Sequence, residues 1–287
     1  MPIRRIGITS KPKKAEIRKI VPPLMQWLRE HEIEVFIDRE TAATLELSEK
    51  CSTRNEIPVQ VDMIVVLGGD GTLLATARAL NRRPVPLLAV NLGGLGFLTV
   101  ITEEELYPTL EKVLSGDFRT DQRVQIEAEV IRSDEVISSF LALNDVVLNK
   151  GAIARILDFD VWVNGKFVST YKSDGLIVCT PTGSTAYSLA AAGPIVVPSV
   201  EAFIITPICA HTLSNRPIVL PDSAEVEVAV KSHRESVYLT VDGQVGIAVR
   251  SEDMVRIKKA GSCVELVQPE HKNYFEILRQ KLKWGER

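Results

Sequence analysis

Cysteine is scarce in this 287-residue chain and none of it is paired by spacing. Cys51, Cys179, Cys209 and Cys263 are scattered, with no Cys-x-x-Cys, so no disulfide framework is implied and free thiols in a reducing cytoplasm are expected. Histidine is equally sparse: His31, His211, His233 and His271 show no metal-ligand spacing. There is no excess of basic charge. A net charge of −3 and a pI near 5.9 argue against a global field for nucleic acid. No apolar run reaches the length of a membrane span, and the first residues lack a signal-peptide core, so no membrane association is expected. Repeats and low-complexity stretches are absent too. Positive charge does collect near the start, at Arg4, Arg5, Lys11, Lys13, Lys14, Arg18 and Lys19. That reads as the solvated face of a first helix, or else as a local anion-attracting patch.

What is present is an ordinary globular composition, 45% hydrophobic and 25% charged, on a chain long enough for one large or two ordinary domains. The first part alternates strands and helices. Strands are expected at Ile3 to Thr9, Ile33 to Ile37, Val61 to Leu67 and Val85 to Val90. A helix is expected over Lys13 to His31, with Pro22-Pro23 predicted to kink or interrupt it. Thr102-x-x-Glu105 reads as a capping box opening a helix to about Ser115, stopped by Gly116. This order predicts an open, mostly parallel sheet with helices on both faces and a ligand crevice at the carboxyl ends of its strands.

From about Gln122 the period changes to that of strands. Val124 to Ile131 alternates, Phe140 to Leu148 is strand-like, and Asn164-Gly165 between two alternating runs is a hairpin signal. Further strands are expected at 175–180, 202–208, 224–230, 236–241 and 262–267. Tyr274 to Trp284 puts Phe275, Leu278 and Leu282 on one helical face. The expected layout is an α/β N-terminal domain over 1–121, with 272–287 returning to it, and a β-rich, sandwich-like C-terminal domain over 122–271.

The most informative segment is Gly68-Gly69-Asp70-Gly71-Thr72, which follows the apolar run Val61 to Leu67 and precedes a helix-forming stretch. A strand that ends in glycines and feeds a helix presents backbone N–H groups to phosphate. A carboxylate beside phosphates points to metal binding or proton abstraction, hence phosphoryl transfer. A tight turn with an Asp N-cap is the plainer alternative. Asn91 to Phe97 (N-L-G-G-L-G-F) follows the fourth strand. Its glycines permit close approach of a ligand and Phe97 can stack on a base, or the segment is a glycine-rich connection with a core Phe. Asn144-Asp145 breaks an apolar strand and offers a donor and an acceptor to ribose hydroxyls, unless it marks a strand end or bulge. Asp174-Gly175 precedes a strand ending in Thr180-Pro181-Thr182-Gly183-Ser184-Thr185-Ala186-Tyr187, a hydroxyl-rich turn into a helix expected to run through Ser188 to Ala192. Asp242-Gly243-Gln244 fits a hairpin turn or a polar contact.

As a set, these segments closely resemble the bacterial NAD kinase family. The resemblance spans nearly the whole chain in the family's order: G-G-D-G-T at 68–72, N-L-G-G-L-G-F-L-T at 91–99, N-D at 144–145, D-G at 174–175, T-P-T-G-S-T-A-Y at 180–187, D-G-Q at 242–244 and N-Y-F-E-I-L-R-Q-K-L-K-W at 273–284. The resemblance implies transfer of the ATP γ-phosphoryl group to the 2′-hydroxyl of the adenosine ribose of NAD, giving NADP. It implies Mg2+ or another divalent metal, a cytoplasmic homodimer or homotetramer whose sites borrow residues from a neighbour, and a final helix that returns to the first domain. By position it makes Asp70 the catalytic carboxylate. Gly68 and Gly69 fall on the ATP-phosphate side, and Gly71, Thr72 and Phe97 line the adenosine. Asn144, Asp145, Asp174, Thr182, Ser184, Thr185, Ala186, Tyr187, Asp242 and Gln244 fall among the dinucleotide contacts. Many members have Asn-Glu where this chain has Asn144-Asp145, one methylene shorter. Two other functions share parts of the pattern: a lipid kinase of diacylglycerol or sphingosine type with the same G-G-D-G loop, and a non-catalytic NAD(P)-binding sensor.

Overall fold

The computed structural model describes residues 3–47, 51–151, 156–212, 214–231, 237–251, 253–269 and 272–285. His233, Ser236 and His271 lie outside them. The chain forms two compact units, Met1–Gln122 with Cys263–Arg287, and Arg123–Ser262.

In the first unit, strands β1 (Arg5–Ser10), β2 (Glu34–Ile37), β3 (Met63–Gly68) and β4 (Leu87–Asn91) form a parallel sheet in the order β2-β1-β3-β4. Every residue of β3 and β4 is buried, as expected for parallel strands covered on both faces. Both strands run further than their apolar runs indicate, so that Gly68 and Asn91 are still paired, register partners on neighbouring strands. The two glycine loops therefore leave the sheet side by side.

Helix α1 (Ile17–Glu30) passes through Pro22 and Pro23 without interruption. Ile17, Ile20, Val21, Leu24, Met25 and Leu28 are buried on one face, whereas both prolines are exposed. The two carbonyls that the prolines deprive of their i+4 N–H partner, those of Arg18 and Lys19, belong to exposed residues, where losing that bond costs little, so the apolar face prevails. Helices α2 (Arg39–Leu45) and α3 (Ile57–Gln60) carry no strong pattern in the sequence. The first is set by Asp38, whose buried carboxylate accepts the Thr41 N–H at 2.8 Å and the Arg54 guanidinium at 2.8 Å. Helix α4 (Asp70–Ala79) starts at the glycine loop. Helix α5 (Leu106–Ser115) begins one turn later than Thr102, with Glu105 accepting the Thr102 N–H at 2.7 Å, and ends at Gly116 with φ +82°.

The second unit is a two-sheet sandwich. One sheet contains β5 (Arg119–Arg132) paired with β6 (Glu135–Ala142). The next strand, β7 (Asp145–Lys150), belongs to the other sheet. The expected single strand from Phe140 to Leu148 is thus two strands of different sheets, and the chain changes sheets at the bend Leu143-Asn144, where the backbone N–H groups go to the Asp242 carboxylate rather than to a neighbouring strand. Strands β8 (Leu157–Val163) and β9 (Lys166–Ser173) form the expected hairpin, with Asn164 at φ +50° and Gly165 at φ +72°. β10 (Gly175–Cys179), the one-turn helix α6 (Tyr187–Ala190), β11 (Ala202–Ile208), β12 (Ile218–Pro221), β13 (Val226–Val230), β14 (Val237–Val241), β15 (Val245–Val249) and β16 (Met254–Gln268) complete the strands. The six-stranded sheet runs β12-β11-β10-β7-β14-β15. Phe159, Val161, Val226 and Val255 from one sheet meet Val146, Val178, Phe203 and Leu239 from the other in a single core.

Helix α7 (Tyr274–Leu282) opens on a complete Asn273/Glu276 capping box and sends Ile277 into the core of the first unit. Lys272 anchors its start, donating to the Val100 carbonyl at 2.8 Å and to Glu105 at 2.5 Å.

Candidate functional site

Two groups of residues stand out, one in each unit. The first is built on β3, β4 and the start of α4. Gly69 is the N-cap residue and Asp70 opens the helix. The Asp70 carboxylate does not cap its own helix but reaches the loop that leaves β4. Its Oδ2 accepts the Phe97 N–H at 2.9 Å, and its Oδ1 accepts the Leu98 N–H at 3.2 Å, the Thr99 N–H at 3.0 Å and the Thr99 hydroxyl at 3.0 Å. Backbone and carboxylate are so close that a Cβ on Gly96 would lie 2.1 Å from Oδ1, which explains glycine there. Gly68 is held by a similar contact, 2.5 Å from a built Cβ to the Thr72 hydroxyl oxygen. At Gly69 and Gly94, by contrast, an added Cβ would meet nothing within 4 Å. Protein packing does not explain those two glycines, and they leave the backbone open to a ligand.

Asn91 shapes the second loop. Its Oδ1 accepts the Gly93 N–H at 2.7 Å, and its Nδ2 donates to the Gly94 carbonyl at 3.0 Å and to Thr99 Oγ1 at 2.8 Å. Lys14 donates to the Leu92 carbonyl. Phe97 is half-buried against the first core, with the Lys281 ammonium 5.5 Å from its ring centroid. Thr72 is buried and Gly71 exposed.

The second group surrounds the sheet change at Leu143-Asn144. The Asp242 carboxylate accepts three consecutive backbone N–H groups, from Leu143 at 3.1 Å, Asn144 at 2.8 Å and Asp145 at 3.2 Å. Asp242 and Gly243 sit at φ +51° and +63° in the β14–β15 hairpin, with Gln244 exposed beside them. From the other side, Thr180 donates its hydroxyl to the Leu143 carbonyl at 2.6 Å and its N–H to the Asn144 carbonyl at 2.9 Å. A Cβ on Gly183 would fall 2.1 Å from that Asn144 oxygen. Asn144 is therefore locked in place, yet its side-chain Oδ1 is buried and has no hydrogen-bond partner among the described residues. An orphaned buried acceptor is costly and marks a place for a ligand donor. Next to it, Asp145 is buried. Loss of solvation, followed by repulsion from Asp242, pushes its carboxyl up to about 7, against the pull of the Tyr187 N–H.

The 180–187 octapeptide divides into two. Thr180, Thr182 and Ser184 are buried, and their hydroxyls are engaged within the protein: Thr182 accepts from Arg123 at 3.3 Å and Ser184 donates to the Pro181 carbonyl at 2.6 Å. Thr185, Ala186 and Tyr187 are the ones that reach the surface. The expected helix to Ala192 is absent. A 3-10 turn over Thr182–Thr185 and the four residues of α6 replace it, because Ala192 has φ +64° and the chain turns so tightly at Gly193, whose N–H donates to the Ser188 carbonyl at 2.7 Å, that a Cβ there would lie 2.1 Å from the Ser188 hydroxyl. The helix that the octapeptide opens is only the four residues Tyr187–Ala190, too short for a useful dipole.

Asp174 does not join Asp145. It precedes β10, whose far end pairs Cys179 with Asp145, so the two lie about 16 Å apart along the strand. Asp174 instead forms an ion pair with Lys150 at 2.7 Å. Lys150, Arg123, Asn91 and Thr99 are polar partners to which the sequence reading gave no individual role. Arg123 and Lys150 sit in strand patterns with no local signal, whereas Asn91 and Thr99 bracket the glycine loop. Burial, opposed by a Ser188 hydrogen bond and assisted by the charge of Asp145, pushes the Cys179 thiol up to about 12 and makes it unreactive. Among the described residues no group of three His, Cys, Asp or Glu side chains is arranged to hold a metal ion, and no helix is long and apolar enough to cross a membrane.

Comparison with known proteins is consistent along the chain. Residues 6–118 match the ATP-NAD kinase N-terminal domain and residues 143–268 the ATP-NAD kinase C-terminal domain. The chain is 52% identical over 285 residues to the NAD kinase of Solibacter usitatus, with 99% of each chain covered. It is 49% identical over 285 residues to that of Geobacter metallireducens, covering 99% of this chain and 100% of the relative. Yeast NADH kinase, solved in complex with NADH, superposes with a TM-score of 0.93 at 28% identity, over 100% of this chain and 89% of the yeast chain. An Archaeoglobus fulgidus NAD kinase solved with ATP gives 0.79 at 25% identity, over 97% and 98%.

Proposed function

The chain belongs to the NAD kinase family, and from that premise we propose that it transfers the γ-phosphoryl group of ATP to the 2′-hydroxyl of the adenosine ribose of NAD, releasing NADP and ADP. Both halves match kinase domains acting on a dinucleotide, which does not favour a lipid kinase.

The observation that carries the chemistry is the Asp70 carboxylate, fixed by four donors beside two glycines, Gly69 and Gly94, where an added Cβ would meet no protein atom within 4 Å. Oδ1 already receives three donors and Oδ2 one, so Oδ2 is the atom with capacity to spare. In the proposed reaction it receives the proton from the 2′-hydroxyl as that oxygen bonds to phosphorus and the ADP oxygen leaves. General-base help of this kind is worth ~10²–10⁴-fold. Gly69 and Gly94 supply open backbone for phosphates, and Phe97 an aromatic edge for the adenine. In the second unit, Asn144 Oδ1 awaits a donor such as a ribose hydroxyl, and Asp145 beside it is the matching group. Asp174, about 16 Å along the strand, suits the opposite end of an extended dinucleotide. Thr185, Ala186 and Tyr187 are its surface contacts, while Thr182, Ser184 and Asp242 act by holding the backbone that presents them.

Mg2+ is typically held by substrate phosphates and one or two carboxylates. Among the described residues no three-carboxylate cluster is available, so a divalent metal would be held mainly by the ATP phosphates, with Asp70 the nearby carboxylate, and would offset the phosphate charge that otherwise repels it. We place the protein in the cytoplasm as a homodimer or homotetramer. Exposed Phe167, Val168 and Tyr238 offer apolar surface for self-association, and light scattering on the purified protein gives the subunit number.

The test is incubation with ATP, Mg2+ and NAD, with product read by an NADP-specific dehydrogenase. NADP should accumulate only when all three are present. Absence of NADP with folded protein removes the proposal.

A further inference from the structure

Asn91 and Thr99 have no part in the reaction as described, yet their hydrogen bonds fix the carboxylate on which it depends. The Asn91 amide can sit only one way round. Its Oδ1 meets the Gly93 N–H, which can only donate, and its Nδ2 meets the Gly94 carbonyl, which can only accept. The second hydrogen of Nδ2 goes to Thr99, whose Oγ1 at 2.8 Å is the near acceptor and whose carbonyl, at 3.4 Å, is the distant one. Thr99 therefore accepts from Asn91, and its own hydroxyl hydrogen is free to point at Asp70 Oδ1, 3.0 Å away. The direction of the whole chain, Asn91 to Thr99 to Asp70, is set by chemistry. Asn91 and Thr99 are 8% and 0% exposed, so water does not compete for the hydroxyl.

Asp70 Oδ1 consequently receives three donors, from the Leu98 and Thr99 amides and the Thr99 hydroxyl, which fills its in-plane acceptor capacity. The backbone amides alone would tolerate some rotation of the carboxylate, since Phe97 holds Oδ2 with a single bond. The Thr99 hydroxyl adds a side-chain donor whose own orientation Asn91 dictates. We propose that Thr99, oriented by Asn91, is a positioning residue that locks the rotation of the Asp70 carboxylate and leaves Oδ2 as the one oxygen able to take the acceptor's proton. This rests on the reading of Asp70 as the catalytic carboxylate, with Oδ2 its acting oxygen, and adds what holds that oxygen in place.

A merely structural role for Thr99 would tie the glycine loop together and, when lost, would weaken ATP or NAD binding or lower thermal stability. A positioning role instead lowers turnover at saturating substrates. Steady-state kinetics on Asp70→Asn, Thr99→Val, Thr99→Ala and Thr99→Ser, each with its thermal unfolding midpoint, separates them. Thr99→Val and Thr99→Ala should lower kcat about 10- to 100-fold, the value of one hydrogen bond to a charged group, with both KM values within about threefold of wild type. Thr99→Ser, which restores the hydroxyl, should recover turnover to within about threefold. The alanine variant carries the test if valine prevents folding. Wild-type kcat in Thr99→Val or Thr99→Ala, or a loss confined to KM, overturns the positioning role even when Asp70→Asn is inactive. An active Asp70→Asn instead overturns the assignment of Asp70 itself.

Discussion

Replacing Asp145 by Asn should make the ligand-free protein more stable at neutral and alkaline pH, an unusual outcome for a residue in a binding site. Asp145 is 4% exposed, and burial together with the nearby Asp242 raises its carboxyl from 3.8 to about 7. The folded state therefore binds a proton more tightly than the unfolded state. For such an acid, the stability present below the unfolded value near 4 is lost progressively as pH rises to about 7, and the loss is constant above that. At 1.36 kcal/mol per unit, the displacement from 3.8 to about 7 corresponds to about 4 kcal/mol. Asparagine is neutral at every pH, nearly the same size, and its carbonyl can still accept the Tyr187 N–H. The difference in unfolding midpoint between Asp145→Asn and wild type should thus be small at pH 4 and below, grow steadily between pH 4 and pH 7 and level off above about pH 7.5. For a unit of this size the plateau is on the order of 10 °C. Differential scanning fluorimetry across that range is sufficient. Parallel curves with a constant offset would show that Asp145 ionises alike in both states, and the electrostatic account of this site would be wrong.

Other substitutions probe close approaches. Gly96→Ala places a methyl group 2.1 Å from Asp70 Oδ1, so the carboxylate must move, and kcat should fall more than about 10²-fold with a modest loss of stability; retained turnover would show that the loop yields instead. Gly183→Ala pushes against the Asn144 carbonyl, also at 2.1 Å. It should raise KM for NAD and cost about 1–3 kcal/mol in chemical denaturation, while KM for ATP stays unchanged.

The positions of many strands were legible because apolar, β-branched runs such as Met63–Leu67 and the Asn164-Gly165 turn carry their structure locally. The glycine loops were legible for the same reason. What resisted was set by partners distant in sequence. Phe140 to Leu148 looks like one strand, and only Asp242, about a hundred residues away, reveals that three of its amides are turned out of the ladder. The octapeptide at 180–187 looked like a helix start with uniform ligand-facing hydroxyls. Which of them point inward depends on Arg123, Leu143 and Val196, none of them a neighbour in sequence. The prolines of α1 do not interrupt the helix, because they fall on its exposed face, which propensity alone does not reveal. Asp70 itself was found from its pentapeptide, but its tie to residues 97–99 follows from the pairing of Gly68 with Asn91, a register no local pattern encodes.

The central claim is that Asp70 promotes proton loss from the 2′-hydroxyl of NAD during phosphoryl transfer. Asp70→Asn keeps the shape of the side chain and an acceptor oxygen for the loop while removing the charge. NADP formation in a single turnover, with ATP, Mg2+ and NAD saturating, should slow by about 10²-fold or more, with NAD affinity measured by calorimetry within about threefold of wild type. A single-turnover rate equal to wild type in a folded, NAD-binding Asp70→Asn protein would contradict the account.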